Sequence, residues 1–141
     1  MPAKTLPPSI FGRLFGAALI LVATVTADAG ETGIDTISAE AFQAERKDEV
    51  VLDVRTVTEY RSGHLEDAIN ININDRNFEQ RIAALDPSKT YVVHCGANVP
   101  NGRADRALAK LRTAGFSNLR SLEGGYDGWV ATGGAVSTAK E

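Results

Sequence analysis

Two short apolar runs and one segment with helical periodicity dominate the hydrophobic pattern of this chain. The runs at 50–55 (VVLDVR) and 91–93 (YVV) are rich in β-branched and aromatic residues, which predicts central strands covered on both faces. From Arg103 apolar residues recur on one face of a helix, and Gly115 is expected at its C′ position. That face consists of Ala104, Ala107, Leu108 and Leu111.

Shorter elements flank this unit on both sides. Polar N-caps predict two helices, one at 39–44 after Ser38 and a short one after Thr56. Alternation of isoleucine with asparagine predicts a half-exposed strand at 68–73, and an amphipathic helix is expected at 75–85. The remaining predicted elements are an edge strand at 35–37, a strand at 117–122, and a short helix with Tyr126, Val130 and the core anchor Trp129.

The alternation of strands and helices predicts an α/β fold, with a mainly parallel sheet and helices on both faces. Ligands bind such sheets beyond the carboxyl ends of the strands. Cys95 follows the strand at 91–93, so it is expected at this edge of the sheet. The loops after Arg55 and Leu122 are expected to share the same rim.

Composition limits the classes of partner. The chain has 141 residues, 43% of them hydrophobic and 23% charged, which suits one globular domain, expected at 34–134 and followed by a flexible tail at 135–141. The net charge is −3 without any run of lysine or arginine, so neither nucleic acid nor an acidic membrane surface is expected as a partner. One cysteine and two histidines, His64 and His94, predict no internal disulfide, no metal and no other cofactor.

Residues 1–29 have the pattern of a signal peptide. Lys4 and Arg13 supply positive charge, 14–25 is an apolar core, and small residues at 27–29 offer a cleavage site. We therefore expect export, with the periplasm as the destination and no membrane attachment after cleavage. A retained anchor is the alternative, but the apolar run is shorter than the roughly 20 residues needed to span a bilayer.

Cys95 stands where nucleophilic chemistry is expected. Backbone N–H groups converge between the end of a strand and the start of the next helix, where the helix dipole is positive. This field favours a thiolate, and Arg103 adds a fork of donors suited to a tetrahedral oxyanion. The intervening loop consists of Gly96, Ala97, Asn98, Val99, Pro100, Asn101 and Gly102. The predicted site is a nucleophilic sulfur in an anion cradle, with an inert buried cysteine as the alternative.

Four motifs in order make the chain similar to the single-domain rhodanese family. They are VVLDVR at 50–55, EYRSGHLEDAINI at 59–71, the loop from Cys95 to Arg103, and LEGGYDGW at 122–129. The resemblance implies a rhodanese-like fold, a five-stranded, mainly parallel sheet with helices on both faces. It also implies a sulfurtransferase, in which the cysteine takes a sulfane sulfur from a donor such as thiosulfate and passes it to a thiophilic acceptor.

Carried over to this sequence, the resemblance makes Cys95 the nucleophile that becomes a persulfide. Residues 96–102 would bind the small anionic sulfur donor, and Arg103 would neutralise the leaving sulfite. The acceptor would be a thiol or a cyanide-like nucleophile. Two attacks at sulfur would then replace one difficult transfer between donor and acceptor.

Other polar residues of the shared motifs are expected to act through structure. Asp53 is expected to tie loops together, and Arg55 to pair with Glu59 four residues further on. His64 is expected to be hydrogen-bonded at a turn, and His94 to be a core histidine at a strand end.

Two departures from the family pattern concern the site and its rim. Seven residues separate Cys95 from Arg103, where the usual sulfurtransferase loop has four, so the cradle must be wider or bulged. Such a loop could admit a bulkier persulfide or a protein partner. Glu66 and Asp67 also replace Pro-Gly in the turn after His64, a change expected to lie at the surface.

Two other functions compete with sulfur transfer. Cys95 and Arg103 also resemble a phosphatase signature, which would imply a cysteine-dependent phosphatase or arsenate reductase, but five residues intervene in that signature and no general acid loop stands out here. The other alternative is a non-catalytic rhodanese-like module that binds a partner or senses redox state, because a fold does not determine function. The presence of both residues favours an enzyme.

Overall fold

Strands and helices alternate through residues 34–139, the part of the chain that the computed structural model describes. The predicted signal peptide at 1–29 lies outside the described residues. No helix within 34–139 has the length and apolar character to cross a membrane. The elements are β1 (Asp35–Ile37), α1 (Ala39–Glu45), β2 (Val50–Asp53), α2 (Val57–Ser62), β3 (His64–Leu65), β4 (Ile69–Asn70), α3 (Phe78–Ala83), β5 (Tyr91–His94), α4 (Arg103–Thr113), β6 (Leu119–Leu122), α5 (Gly125–Ala131) and β7 (Val136–Ser137).

Five strands form one parallel sheet in the order β1-β6-β5-β2-β4. The central strand is β5, where Tyr91 lies opposite Val50 of β2 and Leu119 of β6. This confirms the predicted α/β fold with a five-stranded parallel sheet. Cys95 directly follows the central strand, so it lies at the carboxyl end of that strand. Parallel α/β sheets bind ligands at this edge.

Each face of the sheet has its own hydrophobic cluster. Leu52 and Val93 pack with residues of α3 and α4 on one face. Val51 and Val92 pack with residues of α1 and α5 on the other. Successive side chains of a strand point to opposite faces, so β2 and β5 need apolar residues at consecutive positions. The predicted covering of both faces by helices is therefore confirmed.

The helix after the Cys95 loop agrees with its predicted pattern. All four apolar residues of the predicted face are buried in α4. Gly115 has a φ of 95°, and the N–H of Phe116 donates to the carbonyl oxygen of Leu111 at 3.1 Å, which is the expected left-handed termination. The predicted N-caps Ser38 and Thr56 are confirmed as well.

The strand predicted at 68–73 is much shorter in the structure. β4 contains only Ile69–Asn70, although the N–H of Ile71 still donates to the carbonyl oxygen of Asp53 at 3.0 Å. The Asn70 side-chain amide donates to the carbonyl oxygens of Asp53 and Arg55 at 3.0 and 2.9 Å. The side chain thus binds the carbonyl oxygen of Arg55, and the N–H of Ile73 donates to the carbonyl oxygen of Val54 at 3.2 Å, so the regular ladder ends early. Helix α3 likewise begins three residues later than predicted.

A small antiparallel sheet joins the end of the described chain to its middle. β7 pairs with β3, with Ser137 opposite His64. The indole N–H of Trp129 donates to the carbonyl oxygen of Ala135 at 2.9 Å. A flexible tail was the prediction for 135–141, and its residues 136 and 137 are instead a strand. Backbone pairing with β3 and packing around Trp129 provide these contacts. Neither can be predicted from the small and polar side chains of the segment itself.

Candidate active site

The loop after β5 turns back onto the first residues of α5. The N–H of Tyr126 donates to the carbonyl oxygen of Cys95, and that of Asp127 to the carbonyl oxygen of Gly96, each at 2.9 Å. Gly125 has a φ of 58°, and a Cβ there would lie 2.6 and 2.7 Å from the same two oxygens. Only glycine permits this close approach. The loops after β5 and β6 therefore meet, as the sequence predicted.

Asn98 connects the loop to the end of β6. Its Oδ1 accepts from the N–H of Cys95 at 2.7 Å, and its Nδ2 donates to the Leu122 carbonyl oxygen at 2.6 Å and to Ser121 Oγ at 3.1 Å. Its φ is 48°, a left-handed conformation that asparagine tolerates better than most residues. A single side-chain amide thus holds the backbone of Cys95 against a neighbouring strand.

We expect Asn98→Ala to lower the free energy of unfolding by about 2–4 kcal/mol, because the left-handed backbone becomes costly and three hydrogen bonds are lost. Urea denaturation measures this change. Asn101→Ala is the matched control, since Asn101 also has a positive φ of 57°. It should show only the backbone cost of about 1 kcal/mol. Equal losses in the two variants would contradict a role for the Asn98 side chain.

Four backbone N–H groups of the loop, those at 96–99, have no hydrogen-bond partner in the described part of the chain. The N–H of Asn101 donates to the Asp105 carboxylate at 2.7 Å, and that of Gly102 donates to the carbonyl oxygen of Val99 at 3.0 Å. Pro100 has no N–H group. Only the first part of the predicted cradle therefore has free donors, and of its residues only Gly96 and Ala97 line a cavity beside the loop.

The extra length of the loop forms a turn at 99–102. The hydrogen bond between Gly102 and Val99 closes this turn, and the Val99 side chain is 57% exposed. The sequence predicted a wider or a bulged cradle, and the closed turn corresponds to the bulged form. The donors at 96–99 lie before the turn, so the extra residues do not separate them from one another.

Cys95 itself is almost completely buried. Its exposure is 4%, and it belongs to the hydrophobic cluster that includes Leu108 of α4. The adjacent His94 is fully buried, and its ring Nδ1 lies 2.9 Å from the carbonyl oxygen of Cys95. Because a carbonyl oxygen can only accept, this nitrogen carries the proton. Burial lowers the pKa of His94, so the ring is neutral, as expected for a core histidine.

A cavity of about 550 Å³ opens beside the loop. This volume falls in the range of roughly 300–1,000 Å³ that is usual for small-molecule sites. Sequence reasoning missed Tyr126 and Asp127 as site residues, although the motif LEGGYDGW and the expected shared rim pointed to this segment. The lining consists of Arg55, Thr58, Glu59, Ser62, Gly63, Gly96, Ala97, Arg103, Tyr126 and Asp127.

Arg103 lines this cavity and pairs with Glu59. Its Nη1 and Nη2 donate to the two carboxylate oxygens at 2.7 and 2.9 Å. The hydrogen bond with Arg103 lowers the pKa of Glu59 to about 2, and the same bond raises the pKa of Arg103. The guanidinium lies beside the loop, since a Cβ on Gly96 would be 3.6 Å from Nη2.

The predicted pair between Arg55 and Glu59 is wrong. Arg55 instead turns into the core, where its Nη2 lies 2.6 Å from Asp53 Oδ2 and 2.7 Å from the carbonyl oxygen of Gly63. Its guanidinium carbon lies 4.1 Å from the ring centre of Tyr126. Burial decides this choice, because the Asp53 side chain has no solvent exposure and needs a counter-charge. Asp53 thus ties the loops together through Arg55.

His64 has the structural role that the sequence predicted. Its Nδ1 lies 2.8 Å from the carbonyl oxygen of Tyr60, and the two rings stack with their centres 3.8 Å apart. Asp67 has a φ of 61° and is exposed, so the altered turn lies at the surface. No group of three or more His, Cys, Asp or Glu side chains within residues 34–139 is placed to hold a metal ion.

A larger cavity of about 860 Å³ lies at the opposite end of the central strand, where Thr90 is part of its lining. Its Arg120 is already paired with Asp35 and Glu49 at 2.9 and 3.0 Å. Cys95 lies at the other end of β5. We therefore place the candidate active site at the smaller cavity.

Comparison with known proteins agrees with this architecture. The family described as Rhodanese-like domain matches residues 38–132. The chain belongs to the rhodanese-like family. Among its relatives, thiosulfate sulfurtransferase 18 of Arabidopsis thaliana is 32% identical in a 102-residue alignment that covers 64% of this chain and 73% of that protein. The thiosulfate sulfurtransferase GlpE of Pseudomonas savastanoi pv. phaseolicola is also 32% identical over 102 residues, 72% of this chain and 92% of that protein.

A solved structure shows the same rhodanese fold. The crystal structure of a rhodanese-related protein from Thermoplasma volcanium has a TM-score of 0.66 and 28% sequence identity. The structural match covers 74% of this chain and 99% of the Thermoplasma volcanium chain. These similarities place the protein with the rhodanese-like sulfurtransferases at the level of the family.

Proposed function

We propose that this rhodanese-like domain transfers a sulfane sulfur through a persulfide on Cys95. The observation that carries the proposal is the loop that follows Cys95: its N–H groups at 96–99 are free within the described chain, and its Gly96 lies beside the guanidinium of Arg103. Such donors stabilise negative charge without reorganising during the reaction. The thiosulfate sulfurtransferases among its relatives support the same chemistry.

The first step forms the persulfide. The Cys95 thiolate attacks the outer sulfur of thiosulfate, a new sulfur–sulfur bond forms, and the bond to the sulfonyl sulfur breaks. Sulfite leaves with the electron pair of that bond. Arg103, whose guanidinium lies beside Gly96, would donate to the leaving anion. The free N–H groups of the loop at 96–99 would then stabilise the negative charge of the persulfide.

The second step releases the sulfur. A thiolate or cyanide attacks the outer sulfur of the persulfide and takes it away, with formation of thiocyanate in the case of cyanide. The electron pair of the broken bond returns to Cys95 as the thiolate. Because Cys95 is only 4% exposed, we expect the loop at 96–99 to open when a donor or acceptor binds.

Intact-mass analysis tests this proposal. Thiosulfate treatment should add one sulfur atom, about 32 Da, to the wild-type protein and nothing to Cys95→Ala. The wild-type protein should also form thiocyanate from thiosulfate and cyanide. A Cys95→Ala protein that still forms thiocyanate would disprove the proposal, and hydrolysis of an aryl phosphate that depends on Cys95 would favour a phosphatase.

A non-catalytic module is the second candidate, and the burial of Cys95 is the observation that favours it. Failure of thiosulfate, thiosulfonates and glutathione persulfide to add sulfur would support such a module. The proposed partners are a small anionic donor and a thiol acceptor, as family membership suggests. Export to the periplasm is a further proposal that rests on the sequence of residues 1–29.

A further inference from the structure

We propose that two carboxylates of the cavity, Glu59 and Asp127, make the site select singly charged sulfur donors over the dianion thiosulfate. The favoured donors are thiosulfonates and organic persulfides. This inference rests on the proposed sulfur transfer and specifies its donor class.

The charges around the cavity leave no unpaired cation among the described lining residues. Arg55 is neutralised by Asp53 at 2.6 Å, and Arg103 by Glu59 at 2.7 Å. Asp127 also lines the cavity, and its carboxylate has no cationic partner within residues 34–139. These five side chains together carry one negative charge in excess. A dianion entering this cavity therefore meets two arginines that are each already paired with a carboxylate. It also meets the carboxylate of Asp127, which has no cationic partner among the described residues.

Glu59 is held in place independently of Arg103. Its Oε2 accepts from the N–H and the hydroxyl of Thr56 at 3.0 and 2.7 Å, within the capping box of α2. An incoming anion would have to break these bonds as well as the two bonds to Arg103 in order to displace the carboxylate. The pair should consequently persist while a donor binds. Arg103 still has unused N–H groups, so it can orient an anion without presenting a full positive charge.

The remaining positive potential suits a single negative charge. It comes from the free N–H groups of Gly96 and Ala97, which line the cavity, and from the amino terminus of α4, an eleven-residue helix. A helix terminus behaves as roughly half a positive charge. These fixed partial charges favour an anion without compensating two full charges.

The same bond chemistry applies to singly charged donors. With a thiosulfonate, the Cys95 thiolate attacks the outer sulfur and a sulfinate leaves with the electron pair. With an organic persulfide anion, the Cys95 thiolate attacks the terminal sulfur, a thiolate leaves with the electron pair of the broken bond, and the terminal sulfur keeps its negative charge in the Cys95 persulfide. Donor charge can therefore be varied while the reacting sulfur–sulfur bond is kept.

The test compares thiosulfate with the methanethiosulfonate anion, because both transfer an outer sulfur and they differ by one charge. The measured quantity is the ratio of kcat/KM for thiosulfate to that for methanethiosulfonate. Glu59→Gln should raise this ratio about five- to tenfold, since removing a nearby negative charge helps the dianion twice as much. Asp127→Asn should also raise the ratio, because it removes the carboxylate of the cavity that has no cationic partner. Glu45→Gln, with its carboxylate at the opposite cavity, is the matched control and should leave the ratio unchanged.

The outcomes separate selectivity from function. An unchanged ratio in both cavity variants, with sulfur still loaded on Cys95, overturns the inference and leaves the sulfurtransferase intact. An equal fall of kcat for both donors in Glu59→Gln, with the ratio of the two kcat/KM values unchanged, would show that Glu59 only positions Arg103. If Glu59→Gln does not fold, the ratio in Asp127→Asn decides alone. Absence of sulfur loading from either donor in the wild-type protein would overturn the sulfurtransferase proposal itself.

Discussion

Asp53→Asn is expected to lower the free energy of unfolding by about 3–5 kcal/mol. The Asp53 side chain is fully buried, and both of its oxygens accept from Arg55 at 2.6–3.1 Å. The substitution keeps the shape of the side chain but leaves the Arg55 cation without its counter-charge in the protein interior. Since the total stability of a domain is about 5–15 kcal/mol, this loss is a large fraction of the whole.

Urea denaturation followed by circular dichroism measures the effect of Asp53→Asn. The matched control is Asp75→Asn, which removes the carboxylate from the exposed ion pair with Arg81 and should cost less than about 1 kcal/mol. The double variant Asp53→Asn with Arg55→Met should recover part of the stability, because the unpaired cation is removed. A similar small loss in Asp53→Asn and Asp75→Asn would show that the buried pair is not needed.

Gly125→Ala should cost about 2–4 kcal/mol and displace the loop that carries Cys95. The added Cβ would lie 2.6 Å from the carbonyl oxygen of Gly96, 2.7 Å from that of Cys95 and 2.9 Å from Asn98 Oδ1. Relief of these contacts must move the loop away from α5 and lengthen its two hydrogen bonds from Tyr126 and Asp127. We therefore expect sulfur loading on Cys95 to fall at least tenfold, on the scale of about 1.4 kcal/mol per factor of ten.

Gly133→Ala is the matched control for Gly125→Ala. Gly133 also has a positive φ, 76°, but an added Cβ there meets nothing within 4 Å. It should show only the backbone cost of about 1 kcal/mol and unchanged sulfur loading. Equal effects of the two substitutions on stability and on loading would contradict the proposed packing of the loop against α5.

The position of the candidate nucleophile follows from the hydrophobic pattern. An apolar run covered on both faces ends at His94, and the apolar period of α4 begins soon after, at Arg103. Any parallel α/β arrangement of these two elements puts Cys95 at the edge that binds ligands. Local rules were also sufficient for the cap at Thr56 and for the left-handed Gly115, because both depend on backbone hydrogen bonds within a few residues.

Side-chain partners distant along the chain were beyond such rules. Spacing alone favoured a pair between Arg55 and Glu59, four residues apart, whereas the partner of Glu59 is Arg103, 44 residues away. The local pair is favoured only if both side chains lie on the exposed surface of one helix. Arg55 precedes α2, which begins at Val57, and the buried Asp53 carboxylate binds it.

The amino-acid sequence was enough to establish the α/β fold, the order of its main elements and the loop that carries Cys95, since these depend on periodicity and on residues that are neighbours in the chain. Only the tertiary structure decided that Cys95 is almost buried and that the Asn98 side chain binds its backbone N–H. It also decided that both arginines of the cavity are paired with carboxylates, near the carboxylate of Asp127. Those features depend on which distant groups meet after the core has formed and on how much water they lose there.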